Sequence, residues 1–586
     1  MNKMIKTLLG QVRQYKTAAI LTPVWTTAEV IMGVLIPYVT ASLIDKGINA
    51  EDMAGVYKYG GLMLLMAFLS TLFGILAARF AAYSSTGLAA NLRQAMYTNI
   101  QRFSFSDIDK YSTAGLVTRM TTDVSNIQGA FQMLLRISFR APLNLVFSLF
   151  MCFFINTRLS IIFLVAMVIL GTCLFVLIKR AAKLFVQVFE KYDALNGVIQ
   201  ENISGIRVVK AFVREDHEMS KFDKAALSLY SLNVKAESLM ALNHPVMNIV
   251  VYGSIIALSW FGAHYIVGGS LTTGQLTSLF TYIMTVMTSL MMLSMIFVQL
   301  TQSAASGKRI ADVIDEEPDM YDPESPVTEV KDGSIDFEDV SFAYSKGGDY
   351  ALEHIDLHIN SGEIIGVIGG TGSGKSSLVF LISRLYDVSE GCVKVGGVDV
   401  RSYSMEALRR QVAVVLQKST LFSGTIFDNL RWGREDATDE ECIEACRQAC
   451  ADEFIEQMPD GYDSYIEQGG TNVSGGQRQR ICIARALLMK PKVLILDDST
   501  SAVDTATDSH IRKAISARVE GLTKVIISQR ILSIQDADRI VVMDNGTVAA
   551  FDTHENLLAS CAIYKDIYDM QTSGAEADFD DKGGAS

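Results

Sequence analysis

The chain has 586 residues, 49% of them hydrophobic, only 9 prolines and a mean hydropathy of +0.26, which is too apolar for an ordinary soluble enzyme of this size. Its formal net charge of −13 points to no particular partner, and no nucleic-acid partner is expected. Eight scattered cysteines in a chain expected to face the cytosol argue against a disulfide framework.

The apolar residues concentrate before residue 305. Candidate membrane spans are 18–43, 60–78, 141–156, 161–178, 246–267 and 276–300, each near the ~20 residues a bilayer demands if the short third span begins a turn earlier. Six spans put both chain ends on one side. Lys3, Lys6, Arg13 and Lys16 precede the first span, and the connections 79–140 and 179–245 are rich in Lys and Arg, whereas 268–275 carries no charge. Both termini are therefore expected in the cytosol, at a cell membrane of the bacterial inner or cytoplasmic type. The basic start runs into a full-length span without a small-residue cleavage site, so no cleavable signal peptide is expected.

Glu29 falls near the middle of the first span, where a carboxylate is costly enough to count as a candidate substrate contact. It either attracts a cationic substrate or hydrogen-bonds a neighbouring helix. Met284, Met287, Met291, Met292 and Met295 enrich the last span with flexible, polarizable side chains. Helix packing is the plainer reading of these, as it is for His244 and His264.

Beyond the spans, Gly369, Gly370, Thr371, Gly372, Ser373, Gly374, Lys375 and Ser376 complete a GxxxxGK[ST] loop between the apolar run 364–368 and the helix-like stretch 377–385. Strand, glycine loop and helix is the context in which that motif binds a nucleoside triphosphate. Glycines let backbone N–H groups converge on phosphate oxygens. Lys375 reaches the terminal phosphates, Ser376 faces Mg²⁺, and Ser377 continues into the helix. Further on, Cys442, Cys446 and Cys450 recur every four residues, which places them on one helical face. Without a matching His or Cys cluster, packing is favoured over metal.

Asn472-Val473-Ser474-Gly475-Gly476-Gln477 and the basic, Gln-rich residues after it resemble the signature loop of ABC transporters, with Val473 for the usual Leu. The other landmarks fall in that family's order: Tyr344 before the glycine loop, Gln417 after the strand 412–416, and Val493–Asp497 as the Walker B strand. Ser499, Thr500, Ser501, Ala502, Val503 and Asp504 match its D-loop. The resemblance runs from about Tyr344 to Gln529. It implies that ATP stacks on Tyr344, that Asp497, Gln417 and Ser376 hold Mg²⁺, and that Ser474, Gly475, Gly476 and Gln477 serve a second chain's nucleotide across a dimer. The long connections resemble intracellular helices, with 104–110 and 210–215 as coupling turns.

Two positions depart from the family pattern. The residue after the Walker B aspartate is Asp498 where Glu is usual, and Gln529 stands where His is usual after Ser528. A base one methylene shorter, drawn back by on the order of 1 Å, loses roughly 10²-fold in rate. Gln529 hydrogen-bonds but carries no proton. The pattern resembles the degenerate subunit of a heterodimeric exporter. Asp498 and Gln529 then belong to a slow site, and the intact signature loop serves the partner half-transporter.

The expected architecture is a polytopic α-helical membrane domain, with six transmembrane helices and long intracellular helices, followed by an α/β P-loop ATPase domain with a helical subdomain. Its expected boundaries are 1–16, a cytosolic segment; 17–305, the membrane domain; 306–332, a linker; 333–569, the nucleotide-binding domain; and 570–586, an acidic tail without fixed structure. The expected function is ATP-driven export of a small lipophilic or amphipathic compound across a lipid bilayer. A homodimeric exporter, and a regulatory subunit or channel that binds ATP without hydrolysis, are the alternatives.

Overall fold

The computed structural model describes residues 2–345, 347–498 and 521–580. The chain divides into two compact units, Met1–Gln101 with Ser112–Glu316, and Arg102–Tyr111 with Glu317–Ser586.

The chain runs through helices α1 (Asn2–Gly10), α2 (Lys16–Leu43), α3 (Met53–Ile100), α4 (Phe105–Tyr111), α5 (Thr113–Thr118), α6 (Val124–Ile155), α7 (Thr157–Ser204), α8 (Ile206–Ala211), α9 (Glu215–Ala241), α10 (Asn243–Val267) and α11 (Thr273–Ile314). All but α4 belong to the first unit. Among the described residues six helical segments are long and apolar enough to cross a membrane: Arg13–Ile48, Met53–Ile100, Thr113–Ile155, Thr157–Ser204, Glu215–Val267 and Thr273–Ile296. The number agrees with the sequence reading, but the helices are much longer than the spans. Helical hydrogen bonding does not stop where apolarity stops. The third span in particular was drawn from 141, whereas α6 begins at Val124 and carries Arg136 and Arg140 within it.

Short polar caps determine where the chain reverses. Asn156 accepts from the N–H groups of Arg158 and Leu159 at 3.1 Å each, which starts α7 one residue after α6 ends. Thr272 and Gln275 form a reciprocal capping box at the start of α11. Pro37 lies inside α2, and α11 ties to the same turn: Tyr282 donates to the Val34 carbonyl at 2.7 Å and Ser278 to the Pro37 carbonyl at 2.5 Å. Leu159, Phe163, Leu170, Leu258, Leu279 and Ile283 fill the adjoining core.

The second unit is built on two sheets. Strands β1 (Ile335–Phe342), β2 (Leu352–Ile359), β4 (Glu390–Val395) and β5 (Val398–Asp399) make an antiparallel sheet in the order β2-β1-β4-β5. Strands β3 (Ile364–Gly369), β6 (Val412–Val415), β9 (Val493–Asp497), β10 (Thr523–Ile527), β11 (Arg539–Asp544) and β12 (Thr547–Asp552) make the other, in the order β12-β11-β3-β10-β9-β6. All its pairs are parallel except β11 with β12. Ile527 lies level with both Val367 and Asp497, so β10 and β9 end together and β3 continues to Gly369. Ligand sites of open parallel sheets form at that carboxyl edge.

A helical subdomain follows β6, including Ile426–Arg431, Asp439–Gln448 and Gly475–Leu488, along with the short antiparallel pair β7 (Gly424–Thr425) and β8 (Tyr465–Ile466). Cys442 and Cys446 are buried in its core, while Cys450 lies past the end of its helix, at a φ of +52°, and packs against the same core. The three therefore do not share one continuous helix. Among the described residues no group of His, Cys, Asp and Glu is arranged for a metal ion.

Two further differences concern boundaries. Helix α11 continues to Ile314, past the limit drawn at 305. The last helix, Ala562–Asp580, runs through residues expected to form an unstructured tail. Ser499–Asp504, read as the D-loop, lie outside the described residues.

Candidate nucleotide-binding site

The glycine loop leaves β3 and enters the helix Lys375–Ile382. At Gly374, φ is +95°, and a Cβ would lie 2.7 Å from Leu352 Cδ2 and 2.8 Å from the Ala351 carbonyl. At Gly369 a Cβ would meet the Met543 carbonyl at 2.2 Å, so β11 closes over the loop only because no side chain is there. Lys375 Nζ donates to the carbonyls of Gly369 at 3.0 Å and Gly370 at 2.7 Å, curling over the cradle of the loop. Burial lowers the pKa of its ammonium, and the carboxylates of Asp498 and Asp497 oppose that shift.

Ser376 Oγ donates to Asp497 Oδ1 at 3.1 Å. This hydroxyl and carboxylate, one from the loop helix and one from the end of β9, are hard oxygen donors suited to Mg²⁺ when phosphate oxygens and water complete the shell. Burial, and then the neighbouring Asp498 charge, raise the Asp497 pKa, against the Ser376 hydrogen bond. A bound dication would relieve the burial of that charge.

Tyr344 is half exposed, its Oη is 2.8 Å from Ser377 Oγ, and its ring meets Phe342 and Tyr386 edge-on at 4.8 and 5.2 Å. Its position is thereby tied to the loop helix. Gln417 does not join Ser376 and Asp497 as expected. Its Nε2 donates to Asp498 Oδ2 at 3.4 Å, and Gln529 Nε2 donates to the same oxygen at 3.1 Å. Asp498 has a φ of +44°, and its own N–H bonds the Ile527 carbonyl at 3.1 Å. Burial raises its pKa, opposed by the two amides and by Lys375.

Ser474 caps the helix Gly475–Leu488. Its Oγ accepts from the Gln477 N–H at 3.2 Å, and Gln477 Oε1 accepts from the Ser474 N–H at 2.9 Å. The box leaves the Ser474 hydroxyl proton and the first N–H groups of the helix as donors. Arg478 holds the preceding turn through the Gly469 and Gly470 carbonyls at 2.9 and 3.2 Å.

Glu29 lies in the first unit, 8% exposed, with Arg140 Nη1 of α6 at 3.1 Å from its Oε1. The sequence reading missed Arg140, and it also missed Tyr386, which adjoins the Tyr344 ring. A charged residue within an apolar helix was the available signal for Arg140. Nothing local marked Tyr386.

The comparisons agree with this architecture. Residues 20–290 match the family model for the ABC transporter transmembrane region, and residues 352–501 match the family model described as ABC transporter. An uncharacterised ABC transporter ATP-binding protein of Bacillus subtilis is 34% identical over 563 residues, covering 96% of this chain and 98% of its own. An ATP-dependent lipid A-core flippase of Desulfotalea psychrophila is 31% identical over 535 residues, covering 91% and 93%. The structure of a bacterial Atm1-family ABC exporter with ATP bound superposes with a TM-score of 0.80 over 96% of this chain and 99% of that one, at 24% identity. The chain belongs to the ABC transporter family. It is a half-transporter with the exporter type of fold, a multi-pass membrane domain fused ahead of one ABC ATPase domain.

Proposed function

We propose that this chain is one subunit of a heterodimeric exporter that uses ATP to move an amphipathic or lipophilic compound out of the bacterial cytosol. Tyr344, Gly369 to Ser377 and Asp497 hold its own ATP, with Ser376 and Asp497 as the protein ligands of Mg²⁺. Gln417 enters that shell only after leaving Asp498. The metal, when bound, neutralises phosphate charge and orients the terminal phosphate.

The observation that carries the heterodimer is the Asp498 carboxylate. It is one methylene shorter than the usual base, and its Oδ2 already accepts two amide hydrogen bonds, from Gln417 and Gln529. Neither amide takes up a proton, so neither can relay one from that oxygen. The signature segment Ser474 to Gln477 keeps a complete cap. A chain with a poor base and an intact signature loop is suited to serve a partner whose own base is good. Both termini lie in the cytosol in this reading, because the positive charges flank the spans on that side.

Tagged chain is expected to copurify from its native membrane with a second half-transporter carrying Glu after its Walker B strand, and steady-state phosphate release is expected only from the pair. An active homodimer with two equivalent sites would sink the assignment.

A further inference from the structure

A cavity of about 490 Å³ opens between α6 and α11 within the first unit. Its polar wall is Arg136, Arg140 and Gln132, and its apolar wall includes Met292, Met295 and Ile296. That volume suits the apolar body of a small ligand.

The charges of this wall do not balance. Arg140 is matched by Glu29 at 3.1 Å, and Glu29 Oε2 is buried without a hydrogen-bond partner. Gly74 of α3 leaves room beside Glu29, since a Cβ at that position would come within 3.2 Å of its carboxyl carbon. Arg136, one helical turn before Arg140, has no carboxylate partner among the described residues, and its Nε is buried without an acceptor. Two guanidinium groups against one carboxylate leave one positive charge beside methionine and isoleucine. Arg136 is half-buried with its Nε shielded from water, and an anion would supply both the missing countercharge and the acceptor that Nε lacks. A cation would meet Arg136 as a like charge, so of the two alternatives for Glu29 this reading favours the bond to a neighbouring helix, made to Arg140, over attraction of a cationic substrate.

We propose that this cavity binds an amphipathic molecule with one anionic group, its head on Arg136 and its apolar body along Met292, Met295 and Ile296. The proposal rests on the export reading for its purpose and on the cavity alone for its chemistry.

The test uses the full chain with its companion in phosphatidylcholine nanodiscs, and radiolabelled dodecanesulfonate as the probe. Saturable binding is expected beyond that of protein-free discs. Dodecyltrimethylammonium, with the same chain and opposite charge, and methanesulfonate, the head group alone, are expected not to compete at equal concentration. Arg136→Gln is expected to weaken binding about tenfold, and Arg136→Lys, which keeps the charge, to stay within about threefold of the native protein. Met295→Trp fills the cavity from the other helix and is expected to reduce binding similarly, so the outcome does not depend on one variant folding. Equal competition by the ammonium compound, or native affinity in both Arg136→Gln and Met295→Trp, overturns the site. ATP-driven accumulation in inverted vesicles separates the two readings. Arg136-dependent binding without accumulation refutes export and leaves the site standing, whereas accumulation indifferent to Arg136 refutes the site and leaves export standing.

Discussion

Tyr386 Oη donates a 2.7 Å hydrogen bond to Asp109 Oδ2 across 277 residues of sequence. The same ring lies edge-on to Tyr344 at 5.2 Å and to Phe105 at 6.0 Å. Asp109 and Phe105 belong to α4, the short helix that the chain inserts into the ATPase unit between α3 and α5. One side chain therefore touches both Tyr344, the proposed base platform, and a segment continuous with two long membrane helices. Burial and the Asp109 carboxylate push the phenol pKa up, so it remains a donor at physiological pH.

Tyr386→Phe keeps the ring and removes only the donor, which leaves Asp109 short of a charge-assisted hydrogen bond of about 1.5–3 kcal/mol. ATP binding, measured by fluorescent-nucleotide titration, is expected to stay within about twofold, while substrate-stimulated ATPase activity falls several-fold. Tyr386→Ala removes the ring as well and is expected to weaken nucleotide binding too. If Tyr386→Phe and Tyr386→Ala reduce nucleotide binding equally, the hydrogen bond has no separate role.

Asp498→Glu with Gln529→His supplies the longer carboxylate and the imidazole together. Hydrolysis at this chain's site is expected to rise if the partner's signature loop closes on it, as read by phosphate release with the partner's own base neutralised. Asp498→Asn in the native pair is expected to lower total activity only modestly. The matching change in the partner's Glu is expected to cost about 10²–10⁴-fold. Equal losses from the two neutralisations would make Asp498 a working base.

Ser474 caps its helix and, in the proposed dimer, faces the partner's nucleotide; substitution can separate the two. Ser474→Ala removes the cap, worth about 1 kcal/mol of helix stability, and also one donor toward the partner's nucleotide. Ser474→Asp preserves the cap but places a negative charge where phosphate docks. Thermal melting is expected to drop for the first and to hold for the second, while both lose ATPase activity. Lys375→Ala is expected to act differently, weakening ATP binding at this chain's own site and sparing the cap. Native turnover in Ser474→Asp would remove the signature segment from the partner's site.

Burial, opposed by a hydrogen bond with Tyr462, pushes the Cys446 thiol up to about 12, against an ordinary value near 9. A pKa raised in the fold means the thiolate is absent at pH 7 to 8, and alkylation waits for unfolding. Maleimide labelling followed by mass spectrometry is expected to miss Cys446 in the native protein and to find it after denaturation. Protection of Cys446 by added zinc in the unfolded chain, coupled to recovery of structure, would revive the metal reading.

The sequence alone determined the number of membrane-crossing helices, the strand, loop and helix around Lys375, and the two shortened or neutral residues at Asp498 and Gln529. Each of these is written in a short stretch, where hydrophobic runs, glycine spacing and residue type carry the physics directly. Span lengths were less legible, because α6 and α11 stay helical beyond their apolar segments. Only the tertiary structure turned Gln417 and Gln529 onto one oxygen of Asp498, matched Glu29 with Arg140, and set Tyr386 between Tyr344 and Asp109. Those partners stand tens to hundreds of residues apart. Side chains so distant meet only when packing of sheet and helices brings their elements together, and no local pattern records which of the available charges or rings that packing selects.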